Sequence, residues 1–120
     1  MLNFLEETIG EITGNGYKEE DVMFVGSIDG KYRMTWNSFK EKANFIYDCG
    51  YGAQEIATDL IVYFYDGTYM DRGEYDGSEW WQYHGLLNFS EEDEYKDFNI
   101  LGGSEYMWNS VEMMNNKSDF

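Results

Sequence analysis

The stretch Leu60-Ile61-Val62-Tyr63-Phe64-Tyr65-Asp66-Gly67-Thr68-Tyr69-Met70-Asp71-Arg72-Gly73-Glu74-Tyr75-Asp76-Gly77-Ser78-Glu79-Trp80-Trp81-Gln82-Tyr83-His84 decides the fold. Two Asp-Gly pairs, ten residues apart, each separate runs rich in β-branched and aromatic residues. A two-residue hairpin turn needs positive φ at its centre, which Asp and Gly tolerate, so the pattern is a strong hairpin signal. It predicts a three-stranded antiparallel meander over Leu60–Tyr65, Thr68–Tyr75 and Ser78–His84. With each Asp-Gly pair at a turn centre, the register follows. Tyr75 opposes Ser78, Glu74 opposes Glu79 and Arg72 opposes Trp81, while Phe64 opposes Tyr69 and Ile61 opposes Arg72.

Upstream, Leu2, Leu5, Ile9 and Ile12 recur at helical spacing and predict an amphipathic helix over 2–13, stopped by Gly14-Asn15-Gly16. Asp21–Trp36 reads as a hairpin turning at Asp29-Gly30. Ser38 with Glu41 forms a capping-box pattern, and Phe39, Ala43, Ile46 and Tyr47 supply the stripe of a second helix ending near Gly50 or Gly52. Downstream, Ser90 with Asp93 suggests another helix start. Gly102-Gly103 breaks the chain before a last helix over 104–114, and Asn115–Phe120 reads as a frayed tail. The sum is an α+β fold in one domain spanning 1–120: an N-terminal hairpin plus the meander in an antiparallel sheet, with packed helices.

Charge bounds the function. The chain carries 24 Asp+Glu against 8 Lys+Arg, a formal net charge of −16 in 120 residues. Small soluble domains commonly carry a charge of magnitude about 2–8, so folding here works against extra self-repulsion. Aromatic residues make up 19%, too many for a disordered acidic tail. Such a surface repels nucleic acid and anionic lipid, which argues against direct DNA or RNA binding and against a membrane partner. Cys49 is the only cysteine, so no internal disulfide forms. No apolar run approaches the ~18–20 residues that span a bilayer, and the N-terminus lacks the basic region of a signal peptide, so the expected location is cytoplasmic.

Two acidic groups stand out. Glu74, Asp76 and Glu79 flank the second Asp-Gly turn. Opposed Glu74 and Glu79 would repel each other, and Arg72 lies diagonal to Glu79 beside Trp81. This is either an ion cluster that fixes register or a pair left open for a partner's Lys or Arg. Same-face carboxylates on a strand are roughly 6.6 Å apart, a scale comparable to phosphate spacing. The second group is Glu91-Glu92-Asp93-Glu94, which either favours the positive end of a helix dipole or presents carboxylates outward. Tyr69, Tyr75, Trp80, Trp81 and Tyr83 place aromatics on both faces of the meander. They are covered on both sides, or one row is an anchor patch rimmed by acids.

Catalysis and metal binding find little support. His84 is the only histidine; a set with Asp71 and Ser78 can be imagined, but no Gly-x-Ser-x-Gly elbow is present. One Cys and one His argue against zinc, and no twelve-residue EF-hand loop exists. No cofactor and no enzymatic activity are expected.

The segment Tyr47-Asp48-Cys49-Gly50-Tyr51-Gly52-Ala53-Gln54-Glu55, followed by Arg72-Gly73-Glu74-Tyr75-Asp76-Gly77-Ser78-Glu79-Trp80-Trp81, resembles a family of small acidic phage and prophage proteins. The resemblance covers about residues 45–83. It implies a phage context, in which acidic proteins that inhibit host defence nucleases recur, anti-CRISPR and DNA-mimic proteins among them. The resulting expectation is an inhibitor of a basic, nucleic-acid-binding host protein such as a CRISPR effector. Glu74, Asp76, Glu79, Glu91, Glu92, Asp93, Glu94, Tyr75 and Trp81 are its candidate contacts. The alternative is a phage interaction, assembly or regulatory module that uses its aromatic face.

Overall fold

A computed structural model describes residues 2–50 and 52–116. It contains an α+β fold with two antiparallel sheets and three α-helices. A short strand, β1 (Leu2–Asn3), leads into α1 (Phe4–Gly14), whose N-cap Asn3 accepts a hydrogen bond from the Glu6 amide at 3.0 Å. The strand β2 (Val22–Ser27) turns back into β3 (Arg33–Met34), and α2 (Trp36–Lys42) follows. Then come β4 (Ile46–Tyr47), the meander strands β5 (Leu60–Phe64), β6 (Tyr69–Tyr75) and β7 (Ser78–His84), and finally α3 (Val111–Asn115). The main sheet has the order β3-β2-β5-β6-β7, and β1 pairs with β4 in a second, two-stranded sheet.

The meander forms as expected, with one slip. Around Asp76-Gly77 the register runs Tyr75↔Ser78, Glu74↔Glu79 and Arg72↔Trp81. Asp76 and Gly77 have φ of 53° and 86°, the positive pair of a type I′ turn. Around Asp66-Gly67 the partners are Tyr63↔Tyr69 and Val62↔Met70, one residue away from the expected pairing. Here the Gly67 amide bonds the Phe64 carbonyl at 3.0 Å and Gly67 alone has positive φ, 91°. That is a turn centred on Tyr65-Asp66 with the glycine after it, the three-residue loop rather than the two-residue one.

Other expectations shift for identifiable reasons. The first helix starts at Phe4, and its buried face is Phe4, Thr8 and Ile12; of the expected Leu2-Leu5-Ile9-Ile12 stripe only Ile12 is buried. Phe4 stacks on Trp81 at 5.8 Å and meets Phe39 and Tyr47 edge-on, so the larger aromatic surface sets which face turns inward. The second helix is capped by Thr35, not Ser38, and ends at Lys42. Ile46 and Tyr47 instead form β4, held by the Leu2↔Tyr47 pairing. The hairpin β2–β3 is joined by a five-residue connection, 28–32, with Gly30 at φ 74°. No helix starts at Ser90, where a turn forms. The expected helix over 104–114 is a 3-10 turn at Ser104–Tyr106 and α3, separated by Trp108 at φ 65°.

Asn115 is not frayed: its side chain bonds the Ile100 and Val111 carbonyls and the Asn99 and Ile100 amides. Nor is Asn116, whose side-chain amide donates to the Tyr32 hydroxyl at 3.2 Å; residues 117–120 of the expected tail lie outside the described residues. All three helices pack on one face of the main sheet, around Val25, Leu60, Val62, Phe64, Met70 and Trp81. The other face carries Phe24, Ile61 and Tyr63, with Leu87 and Phe89 against them. Among the described residues no helix is long and apolar enough to cross a membrane.

Candidate functional site

The β6–β7 hairpin divides its acids by function. Met70, Arg72 and Glu74 alternate onto the core-facing side, opposite Tyr83, Trp81 and Glu79. Glu79 is buried. One carboxylate oxygen accepts from Arg72 Nη2 at 2.9 Å and the other from the Glu55 amide at 2.7 Å. Arg72 is fully enclosed, 4.7 Å above the Trp81 ring, and its Nη2 also reaches the Tyr47 hydroxyl at 3.0 Å. Glu7 stands 3.8 Å from its Nη1. Burial pushes the Glu79 carboxyl above its ordinary range, against the pull of Arg72. The expected contacts Glu79 and Trp81 are therefore core residues: the ion cluster is structural, and Trp81 donates its indole N–H to buried Thr8.

Glu74, Tyr75 and Asp76 are exposed at the hairpin tip. Glu74 accepts the Gly77 amide at 2.9 Å, which relieves part of the repulsion from Glu79 by turning its carboxylate to the turn. The tip rests on the preceding loop: the Glu79 amide bonds the Cys49 carbonyl at 2.9 Å, and a Cβ on Gly77 would lie 3.0 Å from the Gly52 nitrogen.

After β7 the chain runs back across the outer face of the sheet as a strap. The Leu87 amide bonds the Gly67 carbonyl, Tyr63 donates to the Leu87 carbonyl, and the Phe89 ring packs on Phe24 and Tyr63. The strap then lines the β3 edge, with the Arg33 amide bonded to the Lys96 carbonyl at 2.9 Å and the Lys96 amide to the Lys31 carbonyl at 2.8 Å. Asp93 closes the turn at Ser90 and pairs with the Arg33 guanidinium at 2.9 Å; both bonds hold its carboxyl below the ordinary range. Glu91, Glu92 and Glu94 point to solvent. These acids border one edge of a five-stranded sheet and the hairpin tip borders the other. Four interstrand steps of ~4.8 Å put those edges roughly 19 Å apart. The two acidic groups are separate patches.

The outer face of β6–β7 keeps an exposed row. Tyr75 is 77% accessible and Trp80 39%. The Trp80 indole lies over Gly73, where a Cβ would approach its Nε1 to 2.7 Å. Further along, His84 bonds Asp71 at 2.9 Å and stacks on Tyr69. Ser78 sits at the far end of the same strand, six residues or about 20 Å away, so the imagined Ser-His-Asp set does not assemble. No group of three or more His, Cys, Asp or Glu residues suited to a metal ion occurs among the described residues.

Sequence reasoning missed Arg33. It is buried, with Nε donating to the Gly30 carbonyl, Nη1 to the Ser90 carbonyl and Nη2 to Asp93, and it lies 4.4 Å from the centre of the Phe24 ring. Both arginines of the chain are thus interior. Of the described acids only Glu79 is buried, so 22 carboxylates that reach the surface face five described lysines, Lys18, Lys31, Lys40, Lys42 and Lys96. The surface is more one-signed than the composition. No protein-family model matches the chain, and neither a curated protein nor a solved structure matches it.

Proposed function

We propose that the chain is a non-catalytic inhibitor, phage-encoded as its hairpin motif suggests, that acts in the host cytoplasm. In this reading it occupies the nucleic-acid groove of a basic host defence protein, with a CRISPR effector as the leading target. One observation carries the reading: both arginines are consumed internally while every described carboxylate but Glu79 reaches the surface. A surface of one sign is repelled by nucleic acid and attracted to grooves that bind it. Glu74 and Asp76 at the hairpin tip, and Glu91, Glu92 and Glu94 on the strap, stand in for phosphates. Two patches at opposite edges of the five-stranded sheet can engage both walls of a groove that holds a duplex. In RNA-guided nucleases such a channel holds a heteroduplex through its backbone.

The test is capture of purified CRISPR effectors at about 50 and 500 mM salt, with and without their DNA target. The reading expects capture at low salt that DNA competes away. Capture that survives high salt and ignores DNA would refute it. That result would favour a second reading, supported by the exposure of Tyr75 and Trp80, in which the aromatic row of the hairpin is the interface of a phage assembly or regulatory module.

A further inference from the structure

A cavity of about 570 Å³ opens at the β3 edge, between β2, β3, the start of α2 and the strap. This is within the size range of sites that enclose a small ligand group. Its lining includes Met23, Phe24, Met34 and Tyr95, the carboxylates of Glu91 and Asp97, and Arg33, whose charge Asp93 already neutralises at 2.9 Å. We infer that it takes an arginine side chain of the basic partner. The inference rests on the reading above for the partner's character and names the residue type that the strap patch engages.

Four features support this. First, the lining combines apolar surface for an alkyl stem with carboxylates for its charged end, the amphipathic division that arginine carries. Second, neither Glu91 nor Asp97 has a hydrogen-bond or ion-pair partner among the described residues, whereas all three nitrogens of neighbouring Arg33 are engaged. The cavity therefore offers unpaired acceptors and no free donor of its own from Arg33. Third, Met23 is the extra residue of a β-bulge in β2, where Val22 opposes Phe64 and Phe24 already opposes Tyr63. Bulges re-aim side chains, and this one turns a polarizable thioether to the cavity wall. Fourth, Tyr95 lines the cavity with its ring 53% exposed, and that ring already stands 5.2 Å from the Arg33 guanidinium, so an aromatic face suited to a planar cation is present at the site. A planar, weakly hydrated cation stacks on such rings in a way an ammonium does not, which favours arginine over lysine.

Butylguanidinium, which reproduces the stem and head of arginine, is the probe, titrated into the full chain at about 50 mM salt and followed by methionine-methyl NMR. The Met23 and Met34 signals are expected to shift and saturate, and n-butanol is expected to leave them in place. Glu91→Gln with Asp97→Asn is expected to weaken the response about five-fold or more, since each rim pair contributes a modest amount. Shifts that never saturate, that spread over all seven methionines, or that ignore the double substitution would overturn the inference. A saturating response without capture of any effector would leave the cavity's ligand standing and remove the inhibitor reading. Effector capture by a chain whose cavity does not respond would do the reverse.

Discussion

Replacing Arg72 with Met tests whether burial or pairing dominates the ion cluster of the hairpin. In the native protein the Glu79 carboxylate is buried against Arg72 at 2.9 Å, and two Arg72 nitrogens, Nε and Nη1, lack hydrogen-bond partners. At an effective dielectric of 20 that contact is worth about 6 kcal/mol of attraction, while taking each ion out of water costs several kcal/mol. The upward displacement of Glu79 shows that desolvation outweighs the arginine. Without Arg72 the buried carboxylate keeps only backbone amides, those of Glu55 and Ile56, and it protonates. Taking up a proton at pH 7 by a carboxyl of ordinary value 4.5 costs about 3.4 kcal/mol at 1.36 kcal/mol per unit, which caps the electrostatic loss.

Arg72→Met should therefore cost roughly 3 kcal/mol at pH 7, measured by urea unfolding with the tryptophans as reporter. For a slope of about 1.5 kcal/mol/M this lowers the midpoint by about 2 M. The sign with pH is fixed. A folded-state value raised above the unfolded one confers stability that is present below the unfolded value and lost as pH rises through the folded one. The deficit of the variant should thus shrink as pH falls from 7 toward 4.5, leaving the packing loss. Glu79→Gln supplies the neutral form that burial favours and keeps a carbonyl for Arg72 Nη2, with Glu7 3.8 Å from Nη1 as the remaining counter-charge, so it should cost less than Arg72→Met. The double substitution should recover most of what Arg72→Met loses. If Glu79→Gln proves as costly as Arg72→Met, pairing dominates; if the two losses simply add, the two groups are not coupled, and either result refutes the reasoning.

Changing Glu91, Glu92 and Glu94 together to Lys, while sparing Asp93 for Arg33, should reduce effector binding at least tenfold at low salt, as read by titration calorimetry. A change below about twofold would point to the aromatic row instead. Gly10→Ala should raise stability by about 0.5–1 kcal/mol, because Gly10 lies inside α1 with open space around its Cβ position. Gly77→Ala should lower it by about 1 kcal/mol or more, since φ is 86° and the new Cβ would press on Gly52; thermal unfolding checks both. Asp66, held below its ordinary 3.8 by Thr68 and Tyr17, gives stability present above that value and lost as pH falls through its folded value. Asp66→Asn should flatten that limb of the pH–stability curve.

The two Asp-Gly turns explain how far a sequence of this kind can be read. Asp76-Gly77 places both residues at positive φ, so the dipeptide itself fixes the register and the opposition of Glu74 to Glu79 follows. At Asp66-Gly67 the same letters serve a different loop, because the Tyr65 amide bonds the Asp21 carbonyl and Tyr17 holds Asp66. Those partners are 44 and 49 residues away along the chain, and no local pattern reports them. The slip of one residue brings Tyr69 beside Tyr63 on the outer face, where period-two alternation leaves no intermediate choice. The failure at Ser90 has a similar cause. Asp93 has the spacing of a capping residue, but Arg33 on a distant strand claims its carboxylate and a turn forms in place of a helix.

The candidate site was legible where charge meets solvent and illegible where it meets a buried cation. Glu74 and Glu79 are equivalent in a register diagram, directly opposed on one face. The structure separates them because Cys49 and Glu55 bond the Glu79 amide and carboxylate, whereas Glu74 stays beside the open turn. Arg33 makes the same point from the other sign. A lone arginine before Met34 carries no sequence signal, yet by binding two carbonyls and Asp93 it pins the strap and so fixes where Glu91, Glu92 and Glu94 project. Arg33→Leu should therefore do more than destabilise. It should loosen 90–96 to proteolysis at low protease while the β6–β7 hairpin stays protected, and weaken effector binding although the substitution makes the chain more negative. Stronger binding by Arg33→Leu would show that net charge alone, not the placement of these carboxylates, drives recognition.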